Sequence, residues 1–247
     1  MCILLGAAVY GLQQASVRIE RVAVYGAPQS LADLATAKMQ GRYLGIIPRD
    51  SIFFFPSSAI RSAILTTYPD IAAISIFRSG FATISLRVDY RVPIARWCGD
   101  ASRFDLTASS SRSNLDASGC YVFDANGFVY ATSSTANLMN AFVIYGPIAN
   151  ATTPIQSTLS NAFQLPATFT FARELASFGS AVTKIVFRED EVDEYLASGT
   201  RVTYLAGDEQ NAYTALVSAR TNFSLADGSV EYLDLRFPGK VYLKKKE

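Results

Sequence analysis

The chain has no histidine in 247 residues. That absence excludes Ser-His-Asp and Cys-His nucleophile systems, histidine-ligated zinc and the HExxH helix. Charge is also sparse. Only 17% of residues are charged, and 22 Lys plus Arg against 21 Asp plus Glu leave a formal charge of +1. A nucleic-acid partner needs a concentrated positive field, and none is present. The single cationic run, Lys244-Lys245-Lys246, reads as a solvated terminus. No GxGxxG, Walker loop, CxxC or GxSxG occurs. The only carboxylate concentration is Glu189, Asp190, Glu191, Asp193 and Glu194. It lacks the glycine-centred spacing of a calcium loop and reads as a solvated connection between strands. No cofactor, metal, small-molecule substrate or catalytic group is expected.

Cysteine is scarce too: Cys2, Cys98 and Cys120. Cys98 and Cys120 bracket GDASRFDLTASSSRSNLDASG, a Ser-, Asp- and Gly-rich segment with little to bury, so a loop. Two readings stand for the pair. A disulfide would close this loop, contribute about 3 kcal/mol in the chain-entropy model, and fit an oxidising compartment. Otherwise they are two unpaired, partly buried thiols.

Half the residues are hydrophobic, enough for a sizeable core, and the length allows one large or two small domains. No charge precedes Arg18, yet Met1 to Leu12 is short of the roughly 20 apolar residues of a membrane span. Three readings remain: the outer half of a span, a short signal or anchor segment, or a buried first element. The first is the expectation, with residues 1–15 as a partial anchor.

Periodicity then orders the chain. Residues 16–26 read as a strand, ended by Gly26 and Pro28. SLADLATAKMQG reads as a helix with Ser30 as N-cap and Gly41 as stop. RYLGIIPRDSIFFFP reads as a packed apolar connector, and a second helix runs from Pro56 to Pro69. DIAAISIF is a strand. ATISLRVDY is a cleaner one, with Ile84, Leu86, Val88 and Tyr90 facing in and Thr83, Ser85, Arg87 and Asp89 facing out. Beyond Val92 the pattern becomes mainly β. A hairpin turns at Asp124-Ala125-Asn126-Gly127. Strands are expected at AFVIYG, AVTKIVFRED and SGTRVTYLAG, and helices at PATFTFARELASFG and DEQNAYTALVSARTNF, the latter with Asp208 as N-cap. The end, YLDLRFPGKVYLKKKE, alternates through Pro238-Gly239 and reads as one long strand. Proline in a strand points to a sheet edge or bulge. Asp124 is expected in a turn role and Asp234 as an ionic partner of Arg236 or a neighbour.

The fold class is therefore α+β: a strand-helix-helix-strand-strand domain over 16–92, then a mainly antiparallel β domain with two packed helices over 93–247, with a loop insertion at 99–119. The first unit resembles a POTRA domain. IERVAVYG resembles the opening strand of the FtsQ/DivIB family of bacterial cell-division proteins. That family's E-R-x-P-x-A-x-W segment is matched by Arg91, Pro93, Ala95 and Trp97, with Tyr90 in place of the glutamate. Its hairpin is matched by Asp124, Gly127 and Phe128. Its closing segment is matched by Asp234, Leu235, Arg236, Phe237 and Gly239. The 99–119 segment is longer than the family's usual connection. The resemblance implies a single-pass plasma-membrane protein with its bulk outside the cytoplasm at the division septum. It would be a scaffold and not an enzyme, joining FtsB/DivIC-like and FtsL-like partners. The family's last strand accepts a partner segment, which implies Phe237, Lys240, Val241, Tyr242, Leu243 and Lys244 as the binding residues here. Unpaired edge groups allow a peptide to add as a strand; the bland alternative is an edge whose lysines prevent pairing. Another functional reading is a POTRA-type adaptor or chaperone in polypeptide export or envelope assembly.

Overall fold

A computed structural model describes residues 10–101, 119–133 and 138–246. Most of the 99–119 insertion and the first nine residues of the expected anchor lie outside these. The chain forms two compact units, which divide between Arg91 and Val92.

The first unit runs β1 (Arg21–Tyr25), α1 (Ser30–Lys38), β2 (Arg42–Tyr43), β3 (Ile47–Pro48), α2 (Ser57–Thr67), β4 (Ile71–Arg78) and β5 (Thr83–Tyr90). Three strands form a sheet in the order β1-β5-β4, with β1 parallel and β4 antiparallel to β5. Leu31, Ala35, Ile60 and Ile64 of the helices bury against Val22, Ile71, Ile74, Ile84 and Leu86 of the strands. The alternation of Ile84, Leu86 and Val88 produces this face. Tyr90 does not follow it and is 44% exposed, while Ser85 is buried and its hydroxyl lies 2.8 Å from that of Ser79. The hydroxyl partner makes burial of Ser85 cheap, and the strand end frees Tyr90. Ser30 is the first helical residue and its side chain caps nothing; its hydroxyl instead lies 3.1 Å from that of Tyr68.

Two further expectations are corrected in this unit. The 42–56 connector is packed only in part: Ile52 is buried in the core and Phe55 rests on it. The connector forms the β2-β3 hairpin and a series of turns that expose Leu44, Ile46, Phe53 and Phe54. The second concerns the start. Among the described residues no helix is long and apolar enough to cross a membrane. Helical residues there stop at Gln13, a 3-10 turn follows at Ala15–Val17, and Ile52 N–H donates to Val17 O at 2.9 Å. The expected single-pass anchor is thus corrected: the described part of that segment is spent on short turns tied to the unit.

The second unit contains β6 (Ala95–Trp97), β7 (Tyr121–Phe123), β8 (Val129–Thr132), β9 (Val143–Tyr145), α3 (Leu165–Ala176), β10 (Val182–Arg188), β11 (Glu191–Leu196), β12 (Arg201–Leu205), α4 (Glu209–Ala219), β13 (Val230–Asp234) and β14 (Tyr242–Lys245). Among the described residues nine strands make one sheet in the order β14-β13-β12-β11-β10-β9-β6-β7-β8. Three joints are parallel, so the sheet is mixed. α3 carries the chain from β9 to β10, and α4 from β12 to β13, the crossovers that parallel pairing requires. Both helices cover one face. Phe169, Phe171, Leu175 and Leu216 pack there with Ile185, Phe187, Val192, Val202, Tyr204 and Leu233. Cys98 and Cys120 form a disulfide. With Tyr145 and Val186 they make a small buried cluster. Trp97 Nε1 donates to Gly146 O at 2.9 Å. Asp124 accepts from Asn126 and Phe128 N–H, the turn role expected of it. Asp208 precedes α4 without a side-chain cap bond.

Candidate functional site

The chain's last segment is two strands, not one. Phe237-Pro238-Gly239-Lys240 closes a turn, with Lys240 N–H donating to Phe237 O at 3.0 Å and Gly239 at φ +70°. Proline at the second position and a left-handed glycine at the third specify a type II turn. β14 folds back on β13, placing Leu243 beside Leu233, Tyr242 beside Asp234 and Lys244 beside Tyr232. The alternation through Pro238 is real, but a turn can preserve the phase as well as a strand can.

β14 is the outermost strand, so one side of it pairs with β13 and the other carries no strand among the described residues. Lys246 N–H donates to Ser229 O at 2.9 Å. By the alternation of an antiparallel ladder, the peptide groups of Lys244 and Tyr242 also face β13, and those of Val241, Leu243 and Lys245 face outward. Val241 and Leu243 rest their side chains on the core. Phe237 and Tyr242 form an edge-to-face pair with centroids 5.2 Å apart, each about half exposed. Lys240 is exposed in the turn. Lys244 Nζ lies 2.7 Å from Glu231, which holds its pKa above the usual lysine value. The six residues expected at the edge are thus brought together on β14 and its turn.

Behind the edge lies an ionic network. Arg236 donates to Asp234 at 2.9 and 2.6 Å and pairs with Glu191. Asp193, fully buried on β11, pairs with Arg188 and accepts from Thr203 Oγ1 at 2.6 Å. Hydrogen bonds from Arg236 hold the Asp234 carboxyl below its ordinary pKa; burial pushes Asp193 up against its partners. The expected Asp234–Arg236 pair is present. The acidic run is a solvated connection only at Glu189 and Asp190, the exposed turn into β11; Asp193 and Glu194 lie on that strand and are wholly buried. Both find partners on β12, which a local reading of the run has no means to supply. Glu194 turns to the helix-covered face, where Tyr204 Oη donates to it at 2.8 Å and burial pushes its pKa up to about 8.

A cleft of about 720 Å3 lies among Asp100, Pro147, Phe187 and the Arg188–Glu191 turn. Its Glu191 is held by Arg236. Among the described residues no group of three or more metal-ligating side chains converges. No protein-family model matches the chain, and no curated protein matches it significantly.

Proposed function

We propose that this chain is a non-catalytic assembly protein of the FtsQ/DivIB type, which captures an extended segment of an FtsB/DivIC-like or FtsL-like division protein on the outer edge of β14. The open edge carries the proposal. Outward peptide groups at Val241, Leu243 and Lys245 match the pairing needs of an added strand. The Phe237–Tyr242 pair supplies an apolar contact beside it, and Lys240 and Lys244 favour a partner with carboxylates. Arg236 ties the turn to β11, so the edge is ordered before a partner arrives, which lowers the entropy lost on binding. The first unit's strand-helix-helix-strand-strand order supports the POTRA reading. The eight-residue β4 is also an outer strand, and it favours a second reading, a POTRA-type adaptor for exported or envelope polypeptides.

The test is a pulldown of the full chain against the FtsB-like and FtsL-like segments of its own organism, with Lys245→Pro and Tyr242→Pro alongside. Lys245→Pro removes an outward N–H and leaves the hairpin ladder intact, so it should weaken capture about tenfold, two edge bonds of ~0.5–1.5 kcal/mol being affected. Tyr242→Pro removes a bond of the hairpin itself and should lower stability as well. Wild-type affinity retained by Lys245→Pro refutes the edge as the site.

A further inference from the structure

Unit 1 ends in an apolar surface that its own core does not use. Pairing of Arg21 with Thr83 and of Arg78 with Ile84 puts the start of β1, the end of β4 and the start of β5 at one end of the sheet. Three connections meet there. Ile19 N–H donates to Asp50 O at 2.7 Å, Glu20 N–H to Ala82 O at 2.9 Å, and Arg78 Nε to Ile52 O at 2.6 Å. α1 also descends to this end and delivers the β2-β3 hairpin, whose base is closed by Arg49 N–H on Gly41 O.

The tips of these connections are apolar and stand out in solvent. Phe81 is 83% exposed, Phe53 55%, Phe54 50% and Leu44 96%. Leu44 is the sharpest case. It sits at φ +50° and Gly45 at φ +74°, with Ile46 N–H donating to Tyr43 O. Such a turn favours Asn-Gly. A leucine there is conformationally costly and gains nothing from the core. Apolar clusters of this kind mark interaction surfaces.

The surrounding charge indicates the partner. Arg21, Lys38, Arg42, Arg49 and Arg78 gather at this end, and of the acids Glu20 and Asp50, Asp50 is already hydrogen-bonded by Arg18. Bulky side chains on separate projecting turns, ringed by cations, suit a planar receptor with an apolar interior and an anionic surface; a small ligand would call for a concave site. We propose that this end of unit 1 seats Leu44, Phe53, Phe54 and Phe81 in the interfacial layer of an anionic lipid bilayer. Such a peripheral contact needs no spanning helix, and it is independent of the β14 edge.

The test is Phe81→Trp in the full chain, mixed with phosphatidylcholine vesicles with and without phosphatidylglycerol. The sole native tryptophan, Trp97, is 4% exposed and belongs to the other unit, so it gives a constant background. Anionic vesicles should blue-shift the new emission, and brominated lipid should quench it. Adding Leu44→Asn should lower the partition coefficient about tenfold, while the melting temperature holds or rises because asparagine tolerates the left-handed turn. Absence of shift and quenching on both vesicles overturns the proposal, even if the chain sediments with them. Equal quenching on neutral vesicles, or an unchanged partition for Leu44→Asn, overturns it also.

Discussion

Glu194→Gln should remove a pH dependence that wild type carries inside unit 2. The wild-type carboxyl is wholly buried, accepts from Tyr204 at 2.8 Å and has its pKa raised from 4.5 to about 8, mainly by desolvation. Its ring partner is itself packed edge-to-face on Phe171, 4.5 Å between centroids, so neither group has room to reach water. A folded-state pKa above the unfolded one means that the folded protein holds the proton longer. Stability from this group is therefore full below about pH 4.5 and is lost as pH rises through 8, at about 1.4 kcal/mol per pH unit between the two. From pH 5 to pH 8 the loss is roughly 3 kcal/mol. Glutamine keeps the shape and an acceptor for Tyr204 but cannot ionise. It should cost about 1–3 kcal/mol at low pH, because its new N–H groups are buried, and its stability should lack the alkaline decline. The assay is urea unfolding followed by the emission of Trp97, which reports on this unit alone. A wild-type minus variant difference that stays constant from pH 5 to pH 8 would refute the reasoning.

Reduction of Cys98–Cys120, or the double alanine variant, frees a 22-residue separation and should lower unit 2 stability by about 3 kcal/mol in urea. The melting of unit 1, followed by far-ultraviolet circular dichroism, should not move. Gly127→Ala should destabilise by about 1–3 kcal/mol, since its φ is +71° and a Cβ there would stand 2.7 Å from Ala162 Cβ; thermal unfolding of the variant checks this.

Where neighbours in sequence decide the structure, the sequence alone was informative. Pro69 and Gly179 stop helices because one lacks a donor and the other takes φ +102° at no steric cost. The alternation of Ile84, Leu86 and Val88 sets the buried face of β5. Asp124 finds its turn bonds within four residues. Tertiary structure decided the rest, because distant elements supplied the deciding partner. Asp193 and Glu194 of the acidic run are buried in a strand since Arg188, Thr203 and Tyr204 receive their carboxyls. Phe53 and Phe54 look like core residues in sequence, but Ile60, Ile64 and Ile52 already fill the space beneath the sheet and leave them outside. The terminal alternation suits one long strand or a hairpin equally well. Only pairing of Leu243 with Leu233 selects the hairpin and makes β14 an edge, because side-chain period records which face is buried and carries no record of which strand lies alongside.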